Sequence, residues 1–248
     1  MDMPIRTAED LRSLGTILFV GAHPDDETFC CGGLLAAAVR NGQRVIVVTA
    51  THGEGGSQDE AQWPPEHMSD IRTRELGAAL EILGIKEHYW LNYHDGECMS
   101  ASQRDASQSI ADIIERCAVE TVITFGPDGL TGHPDHQAMS AWADGALHIA
   151  TRSPQIFHIA QPRETYERSL KAADAELNMF FMVAQPQLVT AEECGVYFVL
   201  NRRSLVQKYR ALQAMPSQYT KILSVFPPER FAGGFGIEAL VRATDERN

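Results

Sequence analysis

Four short runs of apolar, β-branched and aromatic residues, at positions 16–22, 44–51, 88–93 and 121–125, alternate with segments of helical period at 33–41, 69–83 and 105–117. Strands separated by helix-length connections cannot pair as hairpins, so the pattern predicts βαβ units and a parallel sheet, with all four strands buried. Ser69 is a candidate helix cap and Gly84 a candidate stop for the second helix. In such sheets ligands bind where the strands end and the loops lead into helices.

Two polar clusters fall there. Gly21-Ala22-His23-Pro24-Asp25-Asp26-Glu27 follows the first run, and 126–136, ending Gly132-His133-Pro134-Asp135-His136, follows the fourth. His23 and Asp26 are three residues apart across a proline-stiffened turn, and His136 supplies a third donor. Two histidines and one carboxylate leave a coordination position open for water, as catalytic zinc requires. Asp25 then stands as the candidate general base, His133 as the group that steadies an oxyanion, and Asp135 as a holder of one imidazole. The same triad also describes a non-haem Fe(II) site. A sugar- or nucleotide-binding module without turnover is the reading from another class.

A lone histidine at a strand end is usually a hydrogen-bonded surface or core residue, and that reading is kept for His88, His94, His148 and His158. The Gly53-Glu54-Gly55-Gly56 stretch lacks a phosphate-binding pattern and reads as a flexible loop. The tract 58–67, with Trp63-Pro64-Pro65, reads as an excursion that rims the same sheet edge.

Beyond about Pro154 the pattern weakens. Strands are expected at 155–160, 178–183 and 196–200, a helix at 204–214, a loop at 226–236 and a last strand at 237–242. With 248 residues, 44% of them hydrophobic, and no linker or repeat, residues 1–248 read as one domain. The net charge of -12 argues against nucleic acid as a partner. No apolar stretch has the length of a membrane span or a signal core. Five cysteines without CxxC spacing suit free thiols in a reducing compartment, so a cytoplasmic location is expected. The adjacent pair Cys30-Cys31 reads as packing.

The pair His-Pro-Asp-Asp-Glu and Gly-His-Pro-Asp-His, about 110 residues apart, resembles the PIG-L/LmbE-like deacetylases over roughly the first 150 residues. These include N-acetylglucosaminylphosphatidylinositol de-N-acetylases and the deacetylases of mycothiol and bacillithiol synthesis. The resemblance implies a Rossmann-like three-layer α/β sandwich with a mostly parallel sheet, the C-terminal portion adding strands and helices around the site. It implies Zn2+, with Fe2+ as the alternative metal, bound by His23, Asp26 and His136. It further implies Asp25 as base, His133 as electrostatic stabiliser, and a small amino-sugar or glycoconjugate substrate. Arg72, in an Arg-x-x-Glu helix with Glu75, and Asp95, in Tyr93-His94-Asp95, match residues with which the family grips its sugar. From residues alone, Arg72 and Glu75 would be an exposed i,i+3 pair, and Asp95-Gly96 a turn. Family members are often oligomers. His52 and the sequence Met215-Pro216-Ser217-Gln218, without the family's frequent histidine, depart from the pattern.

Overall fold

The computed structural model describes residues 4–180, 182–183 and 186–243. Five strands run parallel, β1 (Ile17–Gly21), β2 (Val45–Thr51), β3 (Glu87–Tyr93), β4 (Thr121–Phe125) and β5 (Gln155–Pro162), with a two-residue strand β6 (Leu188–Val189) pairing with β5. Strands β7 (Val196–Val199) and β8 (Ile237–Arg242) complete the sheet antiparallel, in the order β3-β2-β1-β4-β5-β8-β7.

Helices α1 (Asp26–Arg40), α2 (Met68–Leu83) and α3 (Gln103–Cys117) lie in the connections of the first four strands. A helical turn, α4 (Gly129–Gly132), and α5 (Pro134–Ile149) follow β4. A helical stretch over 163–177 combines α6 (Arg163–Thr165), a π-helical turn and α7 (Lys171–Leu177). Helices α8 (Arg202–Gln213), α9 (Pro216–Val225) and α10 (Pro228–Phe235) lie between β7 and β8.

Chain order explains where a site can form. From β1 the chain moves outward through β2 to β3, then returns to the other side of β1 for β4 and β5. Right-handed crossovers place α1 and α2 on one face, and α3 and α5 on the other. The packing agrees, with α1 against α2 and α8 in one layer and α3 against α5 in the opposite one. The direction of winding reverses between β1 and β4, so the loops after these two strands part and leave a crevice.

Strands β1, β2 and β4 are buried along their whole length, as continuous apolar runs between two helical layers should be. Strand β3 differs from the expectation of a buried strand. It has β2 as its neighbour on one side and stands at the sheet edge, so its residues remain partly exposed.

Several other expectations are corrected. Helix α1 starts at Asp26, seven residues ahead of the expected 33, and α2 starts at Met68 with no side-chain cap, so Ser69 lies within its first turn. Gly84, at φ 80°, does close α2. The expected strand at 178–183 is not formed by its described residues, because Asp174 Oδ1 accepts from Met179 N and Phe180 N at 2.6 and 3.1 Å and turns the chain after α7. The 226–236 loop contains α10, with Pro228 in its first turn, where a missing N–H costs no hydrogen bond.

All five cysteines are free thiols. Among the described residues, no helix is long and apolar enough to cross a membrane.

Candidate metal and catalytic site

The first polar cluster is a tight turn closed by Asp26, whose Oδ2 accepts from Ala22 N at 2.8 Å and His23 N at 2.9 Å. That leaves Oδ1 facing His136 Nε2 at 3.4 Å. His23 Nδ1 lies 3.2 Å from the same Nε2 and 4.0 Å from Asp26 Oδ2. His136 is itself held on two sides. Its Nδ1 donates to Gly129 O at 3.0 Å, and its ring stacks on Phe125 at 3.9 Å between centroids. The Nδ1 hydrogen bond fixes the tautomer that turns a bare Nε2 lone pair toward His23 and Asp26.

Nitrogen and oxygen donors about 2.0–2.2 Å from a tetrahedral zinc lie about 3.4 Å from one another. The two closest donor separations here, 3.2 and 3.4 Å, fit an ion of that size. His133 belongs to the same cluster, with ligand-capable atoms of His23, His133 and His136 within 4.8 Å of each other. Its Nδ1, however, caps α5 by accepting from Asp135 N at 3.1 Å.

On the far side of His23, Nε2 meets Asp95 Oδ1 at 3.0 Å and Asp135 Oδ2 at 3.3 Å. Asp135 is fully buried and accepts from Gly96 N and Cys98 N as well. Burial would lower the pKa of His23, but hydrogen bonds to Asp135 and Asp95 and the charge of Asp26 outweigh it and push it up to about 10. Asp95 is held down to about 2, its burial overcome by His23. Burial pushes Glu27 up to about 8, so the third carboxyl of the first motif adds no negative charge at neutral pH.

Asp25 sits beside this centre. Burial raises its pKa, and the Arg72 guanidinium, 3.2 Å away, opposes the rise in part. His133 is shifted down by burial and by the charges of His23 and His136. An Nδ1 that accepts a backbone N–H requires the neutral ring, with its proton on Nε2. His133 would therefore act on an oxyanion as a neutral Nε2–H donor and not as an imidazolium.

Arg72 and Glu75 are 4% and 8% exposed, so the reading of an exposed helix pair fails. Arg72 reaches Asp25 and donates to Gly53 O at 3.1 Å, while Glu75 accepts from Ser217 N at 3.0 Å and Ser217 Oγ at 2.5 Å. The Gly53 to Gly56 stretch is pinned rather than flexible. A side chain at Gly53, which has φ +66°, would lie 2.3 Å from the Arg72 guanidinium, Gly55 N donates to Asp95 Oδ2, and Gly56 O accepts from Gln218 Nε2. Gly96, at φ 79°, does make the turn expected after Asp95.

Sequence reading missed the contribution of α9. Glu75 anchors its first turn over the 53–56 loop, and Tyr219, 5% exposed, donates its O–H to Asp25 Oδ2 at 3.1 Å. Pro216 in the first turn of α9 was a legible signal for the helix. Nothing local marks Tyr219. The donors open into a cavity of about 580 Å3, which Ser57 and, from the expected excursion, Gln58 help to line. A second cavity, about 730 Å3, lies away from them between α5 and strands β5 and β8.

Residues 18–147, more than half of the chain, match the PIG-L family, described as GlcNAc-PI de-N-acetylase. The chain belongs to that family. The matched PIG-L region carries both polar clusters and ends before α7 and α9. A 1D-myo-inositol 2-acetamido-2-deoxy-alpha-D-glucopyranoside deacetylase of Saccharomonospora viridis is 28% identical over 253 residues, covering 92% of each chain. The N,N'-diacetylchitobiose deacetylase of Pyrococcus horikoshii has a similar fold, with a TM-score of 0.63 at 19% identity over 92% of this chain and 83% of that one. So does a 4-carboxy-2-hydroxymuconate hydratase of Pseudomonas putida, with a TM-score of 0.64 at 19% identity over 94% and 97% of the two chains. The shared fold thus hosts more than one chemistry, and function has to be argued from the site.

Proposed function

We propose that this PIG-L-family chain is a zinc-dependent hydrolase that removes an acetyl group from an N-acetylated amino sugar or its conjugate. The observation that carries this reading is the convergence of His23 Nδ1, His136 Nε2 and Asp26 Oδ1 beside the carboxylate of Asp25. The similarity to an amino-sugar deacetylase over 92% of each chain supports the substrate class.

A divalent ion held by His23, Asp26 and His136 supplies Lewis-acid chemistry, polarising the carbonyl and lowering the pKa of water to about 7. Asp25 takes the proton of the attacking water. Arg72 and the Tyr219 hydroxyl hold its two oxygens in place. As oxygen adds to the amide carbon, the Nε2–H of His133 donates to the carbonyl oxygen that gains charge, and Asp135 and Asp95 keep His23 in the tautomer that offers Nδ1. The C–N bond then breaks, and the proton held by Asp25 passes to the leaving amine. Acetate and the free amino sugar are the products. Asp95 and Arg72 reach substrate hydroxyls from positions that also steady His23 and Asp25.

The direct test is acetate release from N-acetylglucosamine, its inositol glycoside and N,N'-diacetylchitobiose, by protein stripped with chelator and restored with Zn2+ or Fe2+. Turnover that returns with metal supports the reading. Stoichiometric metal without turnover of any acetylated sugar sinks it.

Tyr219→Phe tests the hold on the base. A hydrogen bond to a charged acceptor contributes about 1.5–3 kcal/mol. A fall of about tenfold in kcat is expected, with KM nearly unchanged. The lost bond had favoured the carboxylate, so the acidic limb of the kcat/KM profile should also move to higher pH.

A further inference from the structure

The cavity that holds the metal donors has two unlike walls. One is polar, with Gly55, Gly56, Ser57, Gln58 and Asp95 presenting backbone and side-chain hydrogen-bonding groups. The other is mainly apolar, formed by Phe29 of α1 and, from segments outside the PIG-L match, by Leu177, Met179, the Tyr219 ring and Ile222. Leu177, Met179 and Ile222 are only partly buried.

This second wall is a built feature. Asn178, at φ 52°, ends α7, and Asp174 Oδ1 holds the N–H groups of Met179 and Phe180, while Phe180 is buried against Tyr166. Lys221, at the exposed margin of this wall, keeps its charge in solvent and donates to Glu176 O at 3.0 Å, which ties α9 to α7. Phe29 and Tyr219 stack with centroids 5.7 Å apart. The rim continues with Met182, 48% exposed, which approaches Gly132 just before the second histidine motif. Flexible methionines at such a rim suit apolar groups of varied shape.

An N-acetyl sugar matches the polar wall through its hydroxyls and leaves the apolar wall facing water. We infer that the preferred substrate carries an aliphatic group of several carbons beside the scissile amide, and that Met179 and Ile222 are specificity-determining residues for it. This rests on the deacylase reading above and narrows its substrate class. The aliphatic group can belong to the acyl chain or to the group glycosidically linked to the sugar. Each methylene buried on the wall contributes roughly a fourfold factor in affinity, so even partial burial of a six-carbon chain exceeds tenfold.

The experiment compares kcat/KM of the zinc-restored enzyme on N-acetylglucosamine, N-hexanoylglucosamine and the hexyl glycoside of N-acetylglucosamine, measuring the acid released. At least a tenfold preference for one hexyl compound is expected, the first arm assigning the wall to the acyl chain and the second to the glycosidic group. Ile222→Asn and Met179→Gln should each cut that preference at least threefold, whereas Met179→Leu should retain it, and melting curves confirm that each variant folds. Hydrolysis of N-acetylglucosamine with no gain from either hexyl group overturns the inference and leaves the deacetylase reading standing. A preference that survives both polar variants overturns the role of these residues. Hydrolysis of none of the three removes the deacylase reading and this inference with it.

Discussion

Replacing Asp25 by asparagine is expected to lower kcat by about 10^3 while zinc content stays stoichiometric, because positioned acid–base groups contribute 10^2–10^4 in rate. The substitution keeps the shape of the side chain and an oxygen that can accept from the Tyr219 hydroxyl, but it removes the charge that takes the proton. Its structural cost is open to measurement. Arg72 is almost fully buried and loses a partner 3.2 Å away, although it keeps its bond to Gly53 O and the nearby charge of Asp95. A melting curve therefore has to accompany the kinetics. A drop in kcat at unchanged zinc content and a small change in Tm identifies a base. A binding module without turnover predicts instead that Asp25→Asn leaves sugar affinity within a few-fold and has no rate to lose. Loss of zinc from the variant would move Asp25 into the ligand set and overturn the assignment of Asp26.

Much of this centre was legible in the sequence because it is local. His23, Asp25 and Asp26 lie on one turn after an unbroken apolar strand, and His133, Asp135 and His136 sit at the start of α5 after another. Strand periodicity and the winding rule suffice to bring the two turns together at the reversal between β1 and β4. The contacts of Arg72 with Asp25 and of Asp95 with His23 were not legible, since each joins residues from different elements far apart in the chain. Asp25 and Tyr219 are 194 positions apart, and no local pattern encodes their contact. The misread segments share a cause. At 178–183 the apolar Met-Phe-Phe-Met-Val sequence favours a strand, but Asp174 captures two backbone N–H groups there and makes a turn. At 226–236 prolines and glycines suggest a loop, yet Pro228 fits a helix start, and Gly234 lets the chain approach Leu170 and Phe226 more closely than a side chain would allow. A local side-chain bond in the first case, and a helix start with close packing at Gly234 in the second, outweighs the propensity of the residues themselves.

Zinc uptake by the stripped protein is expected to release one proton from His23 between pH 7 and 8, in addition to the fraction released by a metal-bound water with a pKa of about 7, and to strengthen at least tenfold for each unit of rising pH. The cause is His23. Without metal, its Nδ1–H faces His136 Nε2 at 3.2 Å and its Nε2–H faces the carboxylates of Asp95 and Asp135, so both nitrogens keep their protons up to about pH 10. A metal needs the Nδ1 lone pair, and the proton on it must leave. The folded pKa lies above the usual 6.5. The stabilisation this gives the metal-free fold is therefore complete below about pH 6.5 and lost as pH rises toward 10. Chelated protein should thus lose Tm across that interval, and zinc should restore it most strongly at its upper end. Calorimetric titration in buffers of different ionisation enthalpy counts the proton directly. His136→Ala should abolish stoichiometric uptake and, with it, turnover, because a carboxylate and one imidazole cannot hold the ion against chelator. Asp95→Asn should weaken zinc by 10–100-fold, the usual cost of losing a carboxylate that orients a ligating histidine. Proton release no greater than a metal-bound water accounts for would mean that His23 is already neutral, and that Asp95 and Asp135 serve the pocket rather than the ligand.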